Sequence, residues 1–168
     1  VPISLNVSRV DILACDVAEH MGALATQYNL PPELMRIEIT ETAYTGESEA
    51  VDRLTAELHN RGFSTYMDDF GTGQSTLAML KNVNVDVIKL DRTFVPAGKA
   101  DERSTQIVSS MLGMAQSLHL PVVVEGVETE AQAQLLRQMG ARYAQGFLYY
   151  RPMPAADFEE LLDSKVAD

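Results

Sequence analysis

The strongest constraint on the fold is a rhythm. Six short apolar, β-rich runs, at 3–7, 35–39, 63–67, 85–90, 121–124 and 143–149, alternate with stretches whose apolar residues recur at helical spacing. Val17, Met21, Leu24, Ala25 and Tyr28 share one face and predict a helix over 16–28. Ala50, Leu54 and Leu58 predict another over 47–60, with Gly62 placed to cap its end. A short helix is expected over 74–80. A well-buried one is expected over 104–118, where Ile107, Val108, Met111, Leu112, Ala115 and Leu118 recur. Thr129 and Gln132 have capping-box spacing and predict a helix to about 139. A last helix is expected over 155–162. Strands joined by helical crossovers run parallel, so the chain is expected to be α/β with one parallel sheet. No Gly/Ser linker or low-complexity tract divides residues 1–168.

Composition removes several function classes. A chain of 168 residues with 46% hydrophobic and 22% charged content is long enough, and apolar enough, to bury a core. No apolar run approaches the roughly 20 residues needed to span a bilayer, and no signal-peptide pattern opens the chain. A net charge of −11 argues against a binder of nucleic-acid polymers, which presents a basic face. It leaves room for a small phosphorylated ligand approached through divalent cations. Cys15 is the single cysteine, which excludes an internal disulfide or a thiolate metal cluster and fits a reducing, cytoplasmic location. His20, His59 and His119 fall on or beside helices without ligand spacing and are assigned no chemistry.

Polar residues gather at the carboxyl ends of the runs. The first has Asn6 and Ser8, the second Glu38 and Glu41, and the third the adjacent pair Asp68 and Asp69, followed by Phe70-Gly71-Thr72-Gly73. The fourth has Lys89 and Asp91, the fifth Glu125 and Glu128, and the sixth Gln145. In a parallel α/β barrel these ends converge on one mouth, where chemistry sits. Carboxylates with an amide oxygen are hard donors suited to Mg²⁺ or Mn²⁺. Glu38 and Asp68 with Asn6 could hold one ion, and Asp69, shared with Asp68 or Glu125, another. Lys89 interrupts an apolar run and would bring positive charge to an attacking water or a phosphate oxygen.

These motifs, Leu5-Asn6-Val7-Ser8, Glu38-Ile39-Thr40-Glu41, Asp68 to Gly73, Ile88-Lys89-Leu90-Asp91, Glu125-Gly126-Val127-Glu128-Thr129 and Gln145-Gly146, resemble in order those of the EAL domain, a family of bacterial cyclic di-GMP phosphodiesterases. The resemblance implies a TIM-type (β/α) barrel and hydrolysis of cyclic di-GMP to linear pGpG with two Mg²⁺ or Mn²⁺ ions per site. It implies Asn6, Glu38, Asp68 and Asp69 as metal ligands, and Lys89 and Glu125 as the groups acting on the water. Glu41 would order the loop after the acid pair, and Asp91, Glu128 and Gln145 would support the site or the substrate.

There are departures. The Glu-Ala-Leu motif is absent and would lie upstream of Val1; the resemblance makes its glutamate a metal ligand, so the activity of this piece is expected to be impaired. Gln74 stands where an aromatic residue is usual, and Val124 where an alanine is. A TIM barrel has eight units in roughly 250 residues, so about six are expected here and the barrel is expected to be incomplete, a partial EAL domain over 1–168. Two open edges would favour a homodimer or a domain-swapped assembly. An upstream sensor or GGDEF domain is a further expected partner. The alternative reading is a non-catalytic module that binds cyclic di-GMP or a protein.

Overall fold

The computed structural model describes residues 1–168 apart from 47, 74–79, 81–82, 97–101 and 167–168. Six strands, β1 (Ile3–Val7), β2 (Met35–Thr40), β3 (Ser64–Phe70), β4 (Val87–Leu90), β5 (Val122–Val124) and β6 (Tyr143–Ala144), form one sheet in sequential order. Every neighbouring pair is parallel. This is the strand order of a (β/α) barrel, with β1 and β6 as its edges among the described residues.

The helices are α1 (Arg9–Ala14), α2 (Val17–Gln27), α3 (Glu41–Gly46), α4 (Ser48–Asn60), α5 (Glu102–Ser117), α6 (Glu130–Gln138) and α7 (Ala155–Val166). Their ends follow from local chemistry. Asp16 starts α2 by accepting the Glu19 N–H at 2.8 Å. Gly62, at φ +86°, ends the turn after α4, where its N–H donates to the His59 carbonyl at 3.0 Å. The capping box at α6 is formed: the Thr129 hydroxyl accepts the Gln132 N–H at 3.3 Å, and the Gln132 Oε1 accepts the Thr129 N–H at 3.0 Å. Thr129→Ala is expected to lower stability by about 1 kcal/mol in urea denaturation, with the slope of the transition unchanged.

Two helices escape the periodicity. α1 and α3 have six residues each, too short to establish a 3.6-residue repeat. α1 is marked only by its Ser8–Asp11 capping box and buries no residue. The helix expected over 74–80 lies outside the described residues except for Leu80, which is buried. β6 is shorter than the run at 143–149, because the chain turns after Ala144.

The two faces of the sheet differ. Ile37, Ile39, Met67, Ile88, Leu90 and Val124 are fully buried, as are Val51 and Leu58 of α4, Val108 of α5 and Leu136 of α6. This apolar layer beneath the helices carries the stability. The alternate residues face the other way. Asn6 pairs in register with Glu38, Glu38 with Tyr66, and Thr40 with Asp68. One layer further from the mouth, the Arg36 guanidinium lies 5.4 Å from the Tyr66 ring centroid. His59 joins α4 to the starts of β3 and β4, with Nε2 at 2.9 Å from the Thr65 hydroxyl and 3.0 Å from Asp86 Oδ2. It has a structural place at the amino ends of these strands.

Candidate active site

Lys89 is the centre of the polar face. It stands in β4 between Ile88 and Leu90, and only 5% of it is exposed. Its Nζ donates to Glu38 Oε2 at 2.6 Å, Glu125 Oε1 at 2.8 Å and Asp68 Oδ1 at 3.0 Å. An ammonium has three protons, and here each finds a carboxylate on a different strand or strand end. Burial works against its charge, but the hydrogen bonds it donates to Glu125, Glu38 and Asp68 outweigh burial and hold its pKa above the ordinary lysine value. Glu125 is pushed up, first by burial and also by the Asp68 and Glu38 charges, with Lys89 opposing.

Asp68 and Asp69 lie inside β3 rather than after it. Successive residues of a regular strand point to opposite faces, so the pair could not serve one site without a break in register. The break is present: pairing with β4 shifts between Met67 and Phe70, and Asp69 has a φ of +56°. Aspartate tolerates this left-handed conformation better than most residues. The Asp69 carbonyl is held by the Thr72 hydroxyl at 2.9 Å and the Thr72 N–H at 3.2 Å. The bulge leaves ligand oxygens of Asp68, Asp69 and Glu125 within 4.8 Å of one another. Asp69 is pushed up, first by burial, then by the Asp68 and Asp91 charges.

Glu41, the first residue of α3, is fully buried and secures the turn after this bulge. Its Oε2 accepts the Gly71 N–H at 2.7 Å. Its Oε1 has no hydrogen-bond partner among the described residues. Gly73 packs so closely on that oxygen that a Cβ there would collide with it.

A cavity of about 320 Å³ opens at Glu125, lined also by Asp91, Arg92, Gly126, Glu128, Gln145, Gly146 and Phe147. Asp91 caps the turn Arg92–Phe94, accepting the Thr93 N–H at 2.9 Å. Burial raises its pKa, but the hydrogen bonds from Thr93 and Arg92 and the Arg92 charge bring it below the usual carboxylate value.

The structure thus brings Glu38, Asp68, Lys89 and Glu125 into contact, sets Asp69 beside them, and places Asn6 next to Glu38 in register. Glu41 lies under the adjoining loop, and Asp91, Glu128 and Gln145 line the cavity. Sequence reasoning passed over Arg92 and Phe147. Arg92 directly follows Asp91, and Phe147 follows the Gln145-Gly146 pair and carries the Arg151 guanidinium at 4.6 Å from its ring centroid. Adjacency to an assigned residue was the available signal for both.

The model of the EAL domain matches residues 1–152. The chain belongs to the EAL domain family. Among relatives of this EAL domain, RocR of Pseudomonas aeruginosa, named a cyclic di-GMP phosphodiesterase, is 40% identical over 159 residues, spanning 94% of this chain and 41% of RocR. The EAL domain of DcpA from Mycobacterium smegmatis superposes with a TM-score of 0.90 at 34% identity, covering 98% of this chain and 74% of that one. BlrP1 of Klebsiella pneumoniae, solved as a manganese/cyclic di-GMP complex, superposes with a TM-score of 0.81 at 29% identity, covering 90% of this chain and 39% of that one. The chain spans less than half the length of the curated relatives it matches. Among the described residues no helix is long and apolar enough to cross a membrane.

Proposed function

We propose that this EAL domain hydrolyses cyclic di-GMP to linear pGpG with the help of bound Mg²⁺ or Mn²⁺. One observation carries the reading. Hard oxygen donors of Asp68, Asp69 and Glu125 converge within 4.8 Å, at the carboxyl ends of parallel strands, beside a cavity. The donor set suits a hard divalent ion and offers no thiolate or imidazole to a softer one. Glu38 and Asp68 with Asn6 would hold one ion, and Asp69 with Asp68 or Glu125 the other. Divalent ions bound there supply Lewis-acid polarisation of a water and of the phosphate.

The side chains do the rest. Glu125, which faces both Lys89 and the cavity, takes a proton from the attacking water at its carboxylate. Lys89 orients that carboxylate and those of Glu38 and Asp68. The water oxygen bonds to phosphorus, the P–O3′ bond breaks, and the 3′ oxygen leaves as a hydroxyl, its proton balanced by the one that Glu125 took from the water. Glu41 keeps the Gly71 turn, and with it the bulged acids, in place. Asp91, Glu128 and Gln145 support the substrate in the cavity. Incubating the purified chain with cyclic di-GMP and Mn²⁺ and separating the products tests the proposal. Linear pGpG in amounts proportional to protein supports it; intact substrate at all protein and ion concentrations refutes it.

The proposal extends to association with a second copy. Val1, Ile3, Val10 and Leu13 are exposed along β1 and α1, and Tyr143, Phe147, Tyr149 and Tyr150 beside β6. Among the described residues β1 and β6 each pair on one side alone and are flanked by apolar side chains, which favours edge pairing between chains. Sedimentation at micromolar concentration is expected to give a dimer, and a monomer at all concentrations would remove this part.

A further inference from the structure

We propose that Lys89 is the built-in counter-ion of this acid cluster and that its charge sets how weakly the cluster takes a divalent cation. The inference rests on the metal-site reading above and goes beyond the part Lys89 plays there in orienting carboxylates for hydrolysis.

Lys89 Nζ is within 3.0 Å of Glu38, Asp68 and Glu125, and two of those, Asp68 and Glu125, belong to the converging triad with Asp69. The ammonium and an incoming ion therefore draw on the same carboxylates. Glu38 is itself buried and Lys89 almost fully so, so water screens neither well. Without a cation, carboxylates this close repel one another and lose solvation on burial. Lys89 supplies that cation at all times, because its stem rises from the interior of β4 and its three donors are all engaged. The acids can thus stay converged with no ion bound. The same charge repels a divalent ion and must share oxygens with it, so preorganisation comes with reduced affinity.

Manganese binding without nucleotide tests this independently of hydrolysis. Calorimetric titration of Mn²⁺ into Lys89→Met is expected to show binding tighter than in the unmodified chain by about tenfold or more, since a buried unit charge beside the ion is removed. Lys89→Arg keeps the charge and is expected to stay within about threefold of the unmodified chain, well short of that tenfold, which is about 1.4 kcal/mol. If Lys89→Met does not fold without metal, Mn²⁺ is expected to restore its circular dichroism, because the ion takes over the counter-charge. Failure of Mn²⁺ to restore it overturns the inference. So does a Lys89→Met chain that binds Mn²⁺ no more tightly than the unmodified one, or a Lys89→Arg chain that tightens as much as Lys89→Met. Absence of Mn²⁺ binding by both the unmodified chain and Lys89→Met overturns the metal-site reading, whereas equal binding by the two overturns only the part assigned to Lys89, which separates the two failures.

Discussion

Glu125→Gln is expected to lower the rate of pGpG formation by roughly 100-fold or more, the usual size of a lost general base. The substitution keeps the shape of the side chain and leaves Oε1 able to accept from Lys89, which donates to it at 2.8 Å. What disappears is a negative charge at the one carboxylate among the described residues that touches Lys89, belongs to the triad with Asp68 and Asp69, and lines the cavity. Binding should survive better than turnover. Ca²⁺, with its looser coordination, should support cyclic di-GMP binding in both the unmodified chain and the variant while supporting little hydrolysis. Product chromatography with Mn²⁺ and calorimetry with Ca²⁺ measure the two separately. Unchanged turnover would take Glu125 out of the reaction.

Gly146→Ala is expected to cost roughly 3 kcal/mol or more of stability, through overpacking and unmade hydrogen bonds. Gly146 has a φ of +156°, and a Cβ there would run into the Val127 backbone. Backbone cannot move aside as a flexible side-chain tip can. Two hydrogen bonds flank the clash: Val127 N–H to the Gln145 carbonyl and Leu148 N–H to the Val127 carbonyl, both 3.0 Å. Relieving the collision separates the turn after β6 from the segment after β5, and these form part of the cavity wall. A urea midpoint close to that of the unmodified chain would show that the turn accommodates the methyl group.

The two expectations differ in how far each could be anticipated. Glu125 was legible because a carboxylate just past an apolar run, in step with five other polar strand ends, has few structural uses. The six strands were legible for the related reason that each run is short, β-rich and followed by a helical repeat. Gly146 was not. Its importance comes from Val127, which approaches from a different segment, and nothing in the neighbouring letters reports that approach. α1 and α3 were hidden by length, and Arg92 and Phe147 by the ordinariness of an arginine and a phenylalanine read one at a time.

The Asp68–Asp69 pair divides the two kinds of information most sharply. That two adjacent acids follow Met67 and precede a glycine turn is a property of the letters, as are the chain's negative charge, its single cysteine and its strand–helix alternation. Those properties determine that the protein is a parallel α/β domain with hard oxygen donors at its strand ends. Whether adjacent side chains share a face depends on backbone pairing with β4, and only the shift in that register, with Asp69 turned to a positive φ, brings both toward Glu125. Likewise a lysine inside an apolar run announces a buried charge, but not which acids neutralise it. Glu38 is 51 residues away from Lys89 along the chain, yet 2.6 Å away in space. Local sequence sets periodicity and local conformation, because those interactions span a few residues. Contact between distant charges is decided when parallel strands align, since register alone places side chains from separate strands at one height on one face.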